Sequence, residues 1–199
     1  VQNYGGDMQW MAFIDVDEFL IPKRADSIPE ALESLETCRC LSLPWHMFGR
    51  SGHEFPPEGG VLRNYRLRLD DPMSPARGAG GFKCIADPCH VTSVGVHFVG
   101  TDGGDRTCND RGETFRSGER EGRGFYSADH LQLNHYYTRS EAELRDKIAR
   151  GPNLSDKRAA YERKVMRTVK AIETSQIEDT AAIDYLDRIG WTWDSCAAN

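Results

Sequence analysis

The stretch Trp10-Met11-Ala12-Phe13-Ile14-Asp15-Val16-Asp17-Glu18-Phe19-Leu20 constrains this chain more than any other. Five consecutive apolar residues suit a strand buried on both faces of a sheet. The acids that follow would then stand at its C-terminal end. In an extended Asp15-Val16-Asp17 the two carboxylates share one side of the backbone, so both can reach one hard divalent cation through oxygen. Mg²⁺ or Mn²⁺ held this way keeps coordination positions for a substrate's phosphates and offsets the charge that builds on a departing diphosphate. A merely solvated acidic loop has the same residues, and the apolar run before it is what separates the two readings.

The 199 residues are 39% hydrophobic and 28% charged, the balance of an ordinary globular chain, and one domain is expected. Twenty-five basic against 31 acidic side chains leave a net charge of -6, which gives no electrostatic reason to expect nucleic acid as a partner. No apolar run is long enough to span a membrane, and the N-terminus has no secretion-signal layout. A chain that opens at Val1 and reaches its first strand so early is expected to be a piece of a longer protein. Cys38, Cys40, Cys84, Cys89, Cys108 and Cys196 are too scattered to read as a disulfide scaffold, and Cys84 and Cys89 lack zinc-knuckle spacing. Asn153-Leu154-Ser155 fits a glycosylation acceptor, which permits a secretory-pathway lumen (Golgi) without excluding a bacterial or cytoplasmic setting.

Along the chain, Ser27 and Glu30 have capping-box spacing and open a short helix with Ile28, Ala31, Leu32 and Leu35 on one face. Strands are expected over 40–48, 61–69, 81–85, 90–99 and 131–136, which are rich in Val, Leu, Phe and Tyr and separated by Gly and Pro. Residues 100–124 are glycine-rich, charged and without apolar period, which reads as a long mobile loop. Ser140 and Glu143 form a second capping box, followed by helices to Gly151, over 156–174 and over 180–189.

Four blocks of this sequence resemble glycosyltransferase family 92 and related family-2-like enzymes. Phe13-Ile14-Asp15-Val16-Asp17-Glu18-Phe19-Leu20 is similar to the family's metal-binding segment, and Trp45-His46-Met47-Phe48-Gly49-Arg50-Ser51-Gly52-His53 to its Trp-x-x-Phe-Gly-x-x-Gly-His stretch. Phe82-Lys83-Cys84-Ile85-Ala86-Asp87-Pro88 is similar to its lysine-containing strand before a proline, and Leu133-Asn134-His135-Tyr136-Tyr137-Thr138-Arg139-Ser140 with Lys147 and Arg150-Gly151 to its closing block. The resemblance covers residues 10–151.

It implies an α/β fold of the GT-A type, a mixed sheet flanked by helices with a helical C-terminal segment. Residues 1–151 would be the catalytic portion, carrying metal and acceptor sites, and 152–199 a helical extension of the same domain. A complete enzyme of this kind has a preceding segment that binds the nucleotide base and ribose; the acidic motif here comes so early that this N-terminal part is expected to be missing. The implied activity is transfer of a sugar from a nucleotide-sugar, UDP-linked and with galactose as one option, to a carbohydrate acceptor, with Mn²⁺ or Mg²⁺ as cofactor.

The resemblance implies that Asp15 and Asp17 hold the metal and diphosphate and that a histidine completes the site, His135 ahead of His97. Lys83, Arg139 and Lys147 are the cations for the diphosphate. Trp45, Gly49, Gly52 and His53 suit an acceptor-sugar face, with Trp45 equally suited to the core. An inverting enzyme needs a carboxylate base; Asp87, Asp110, Glu113 and Asp129 are available, with Asp129 the first choice. The competing class is a non-catalytic carbohydrate-binding or assembly module that keeps the acceptor face alone. A metal-dependent phosphoesterase would need more closely grouped ligands than Asp15, Asp17 and one distant histidine.

Overall fold

The computed structural model describes residues 5–35, 37–75, 80–152 and 158–192. Its first elements are β1 (Met11–Ala12), β2 (Glu18–Pro22), α1 (Ile28–Leu32), β3 (Cys40–Met47), α2 (Val61–Asn64), β4 (Leu67–Leu69) and β5 (Phe82–Ala86). They are followed by β6 (Val91–Val94), β7 (Val99–Thr101), β8 (Arg106–Cys108), β9 (Thr114–Arg116) and β10 (Leu131–His135). The chain closes with α3 (Glu141–Arg150), α4 (Arg158–Thr174), β11 (Gln176–Glu178) and α5 (Ala181–Arg188). The fold is mixed α/β, and it divides into two compact units, Val1–Trp45 with Gly81–Leu133 and His46–Gly80 with Asn134–Asn199.

The first unit is built on a mixed sheet with the path β1-β5-β3-β10-β2, and β8 and β9 branch from β3. β3 runs antiparallel to β5, with Leu41 opposite Ile85 and Ser42 opposite Cys84, and parallel to β8, with Leu41 opposite Cys108. Strand alternation sends Leu41, Leu43 and Ile85 to one face, where they pack with Ala31, Leu32 and Leu35 of the helical segment and with Leu131 and Leu133. That segment starts as its capping residues dictate, with the Ser27 hydroxyl accepting the Glu30 N–H and the Glu30 carboxylate accepting the Asp26 N–H. Trp45 is half-buried against this core, and a Cβ on Gly81 would lie 2.2 Å from its ring, so Gly81 leaves the space the indole fills.

Several sequence expectations change here. Phe13, Ile14 and Val16 are exposed, so the apolar run is not a strand buried on both faces. β1 holds only Met11 and Ala12, at the edge of the sheet beside β5. Residues 90–99 are a hairpin, β6 and β7, turned at Gly95, whose N–H donates to the Phe98 carbonyl at 2.8 Å. Residues 100–124 are not a structureless loop. They hold β8 and β9, and a Cys38–Cys108 disulfide fastens β8, which pairs beside β3 in the sheet.

The second unit pairs β4 with β11 and packs Leu144, Val165 and Val169 of α3 and α4 with Tyr137, Ile148 and Tyr161. A buried Arg68–Asp179 ion pair at 2.6 Å ties β4 to the segment after β11, and Phe48 stacks on Tyr136 with ring centres 4.6 Å apart. Residues 61–69 are a turn of helix followed by a strand rather than one strand, since Gly59 and Gly60 both take positive φ and feed the chain into α2. The Ser140 box forms in full, its hydroxyl accepting the Glu143 N–H while the Glu143 carboxylate accepts the Ser140 N–H. Ser140→Ala is expected to cost about 1 kcal/mol in a urea melt; an unchanged midpoint would show that the cap carries no weight. The acceptor triplet Asn153-Leu154-Ser155, the residues Asp156 and Lys157 of the expected helix, and Cys196 lie outside the described residues.

Candidate functional site

Asp15 to Glu18 form a tight turn between β1 and β2, closed by the Glu18 N–H donating to the Asp15 carbonyl at 3.0 Å. The segment is therefore a turn and not an extended strand end, and the acids stand at its base and side while Val16 is fully exposed at its tip. A second bond fixes it: the Asp15 N–H donates to Glu18 Oε2 at 2.8 Å. Glu18 has no side-chain exposure, whereas the Asp15 side chain is 58% exposed.

The cation facing this turn is Lys83. Its ammonium lies 3.0 Å from Asp15 Oδ2, 3.7 Å from Glu18 Oε2 and 3.4 Å from the Val96 carbonyl, with only 5% of the side chain exposed. β5 puts it there by alternation, opposite Leu43 on the face that also carries the core. A lysine so buried persists only because the two carboxylates offset the loss of water. The arrangement presents an exposed carboxylate whose backbone and charge are both fixed from beneath.

His97 and Trp45 belong to the same unit. His97 is exposed in the β6–β7 turn, and its ring meets the Trp45 indole edge to face at 5.2 Å. Asp129 is ion-paired with Arg111 at 2.7 Å, and that hydrogen bond holds its carboxyl below the usual carboxylate range, which makes it a weak proton acceptor. Asp110 is fully buried, with Oδ2 accepting the backbone N–H groups of His130 and Leu131. Asp87 caps the turn before β6 by accepting the Cys89 N–H, and Glu113 accepts from the Asn109 amide.

The remaining sequence-derived residues lie in the second unit. His53 and Gly52 line an open cavity of about 360 Å³ with Arg50, Ser51, Glu141 and Glu173. The His53 ring contacts the Asn64 carbonyl at 3.1 Å and packs edge-on against Tyr65. Gly49 packs closely, since a Cβ there would fall 2.5 Å from the end of the Gln176 side chain and 3.3 Å from Ile172. Arg139 takes a positive φ and pairs with Glu143 at 3.2 Å, lining a second cavity of about 590 Å³ along α3. Lys147 donates to the Tyr137 carbonyl at 2.8 Å and sits over its ring at 3.7 Å. His135 is buried at the end of β10 with its ring edge-on to Tyr137.

Two residues of weight escaped the sequence reading. Glu18 directly follows the acidic pair, but nothing in its spacing says that it turns inward to Lys83. Arg50 sits inside the Phe48-Gly49-Arg50 block and anchors the cavity wall, pairing with Glu141 and, through Nε at 2.6 Å, with Glu173. Among the described residues no three His, Cys, Asp or Glu side chains are grouped so as to hold a metal ion. No helix among them is long and apolar enough to cross a membrane.

The sequence pattern of glycosyltransferase family 92 matches residues 2–175. The chain belongs to glycosyltransferase family 92. The match takes in the acidic turn, Lys83, both cavity walls and α4, and so extends beyond residue 151, where the four blocks end. No curated protein matches the chain. Membership of family 92 implies a sugar donor and an acceptor as substrates.

Proposed function

We propose that this family 92 chain carries the diphosphate end of a UDP-sugar donor site at the Asp15–Glu18 turn and works as a divalent-metal-dependent transferase onto a carbohydrate acceptor. The buried Lys83 beneath Asp15 is the observation that carries the reading. Three charges meet at a turn with an exposed carboxylate, which puts fixed charge where a polar ligand can reach it. Asp15 and Asp17 are hard oxygen donors, which fits Mn²⁺ or Mg²⁺ better than a soft metal. A cation held by few protein ligands keeps positions for phosphate oxygens, which suits a donor diphosphate.

In this reading Asp15 and Asp17 hold the cation, which would supply positive charge opposite the leaving diphosphate. Lys83 orients Asp15 through their ion pair and adds a second positive charge beside the same phosphates. The cavity bearing Gly52 and His53, walled by Arg50, Glu141 and Glu173, has the polar lining that a sugar's hydroxyl groups require, and is the acceptor-side proposal for the second unit.

The test is transfer from a panel of UDP-sugars to mixed oligosaccharide acceptors. Asp17→Ala and metal removal by chelation should each lower turnover by about 100-fold or more, while the melting temperature of the variant stays near that of the wild type. Turnover that survives both changes would exclude the assignment. His53→Ala should raise the acceptor KM and leave the donor KM unchanged.

A further inference from the structure

The face of the first unit's sheet opposite the apolar core carries Cys40, Ser42 and Cys84, and its chemistry has no part in the donor site. Cys40 lies opposite Ala86 and Ser42 opposite Cys84 across the antiparallel pair, so Cys40 and Cys84 are diagonal neighbours on one face. Both are unbridged and buried, and each perturbs the ionisation of the other. Thr107 Oγ1 stands 2.8 Å from Ser42 Oγ and 3.9 Å from Cys40 Sγ, and Ser42 Oγ stands 3.5 Å from Cys84 Sγ. These groups line an open cavity of about 470 Å³ that also carries Arg120, Ser117 and Asp105. The Cys38–Cys108 bridge belongs instead to the core cluster with Leu41 and Ile85.

We infer that Cys40 and Cys84 form a reversible dithiol modification site, reached by small anionic disulfides of the glutathione class through this cavity and closing to a cross-strand disulfide between β3 and β5. Diagonal neighbours lie about 7 to 8 Å apart between Cα atoms, just past the upper end of the span a disulfide bridges, so closure needs a small convergence of the two strands. Ser42 and Thr107 link the two sulfurs through a chain of short polar contacts on the same face.

Cys84 is the attacking sulfur. The Thr107 and Ser42 hydroxyls can donate in series toward it, and the influence of Cys40 pulls its thiol down to about 6 while the same coupling and burial push Cys40 up. Cys84 attacks one sulfur of the small disulfide, forming a mixed disulfide and releasing one thiol. Cys40 then attacks Cys84 Sγ, closing the bridge and releasing the second thiol. Two protein thiols are oxidised, one external disulfide is reduced to two thiols, and the two protein protons end on the released thiols. Arg120, which donates to the His97 carbonyl at 2.9 Å at the rim, supplies the positive charge for the carboxylates of such a molecule. A setting oxidising enough to keep Cys38–Cys108 closed also supplies the reagent.

The test is oxidised glutathione added to the intact chain carrying Cys89→Ser and Cys196→Ser, followed by alkylation and peptide mapping with Cys38–Cys108 left unreduced. The expected product has lost two hydrogens and yields a Cys40–Cys84 cross-linked peptide; adding Cys40→Ser should stop the reaction at one glutathione on Cys84. Quantitative alkylation of both thiols after oxidant would overturn the inference, as would bridges from Cys40 or Cys84 to Cys38 or Cys108. Circular dichroism of each variant keeps loss of fold from passing as loss of reactivity.

Discussion

Lys83→Met will lower the stability of the protein by about 3 kcal/mol, because it leaves Glu18 as a fully buried carboxylate without its ammonium partner. The cost arises from uncompensated charge, so it should be largely repaired by neutralising the partner. In Lys83→Met with Glu18→Gln the amide keeps an oxygen to accept the Asp15 N–H, now 2.8 Å from the Glu18 carboxylate, and no charge remains in the core. Urea melts of the two single variants and the double variant measure the coupling directly. A double variant no more stable than Lys83→Met would mean that Lys83 contributes by packing its stem and not by charge. Because the pair also fixes Asp15, the double variant should fold and yet bind UDP poorly, which separates the structural role from the ligand role.

Opening the Cys38–Cys108 disulfide has the other large effect. The bridge closes a loop across a separation of 70 residues, and loss of that restraint on the unfolded chain corresponds to about 4 kcal/mol. Both sulfurs are buried in the core with Leu35 and Leu41, so Cys38→Ala with Cys108→Ala is the cleaner comparison than a pair of serines, whose hydroxyls would need partners there. Stability should fall by about that amount in urea, and β8 and β9 should lose amide protection before β3 and β5 do. Identical midpoints for wild type and the double alanine variant would show that the restraint is not a source of stability.

The legible parts of this fold were those governed by local rules. Ser27 with Glu30 and Ser140 with Glu143 announce their helices because capping is decided within one turn. β3 and β10 announce themselves by leucines at alternate positions between Gly and Pro stretches, which the sheet buries. The illegible parts were decided at a distance. The segment after Gly100 looks like a free loop because its anchor, Cys108, pairs with a residue 70 positions earlier. Val61 to Leu69 reads as a strand because β propensity does not register the positive-φ glycines that deliver the chain into α2.

The site follows the same division. Asp15 and Asp17 were identifiable by residue type and spacing, and Lys83 by its place in a family block. Their meeting was not, since the contact between Lys83 and Asp15 depends on β1 and β5 being neighbours. The extended Asp-Val-Asp geometry inferred from the apolar run was replaced by a turn because the run ends as strand at Ala12, three residues before the first acid.

The most direct test of the account is calorimetric titration of this chain with UDP, with and without Mn²⁺, in the wild type and in Asp17→Ala. The account predicts binding that appears only when Mn²⁺ is present and is lost in Asp17→Ala at unchanged melting temperature. Binding of equal strength without the metal or in the variant, or no binding by a wild-type chain shown to be folded, would contradict it.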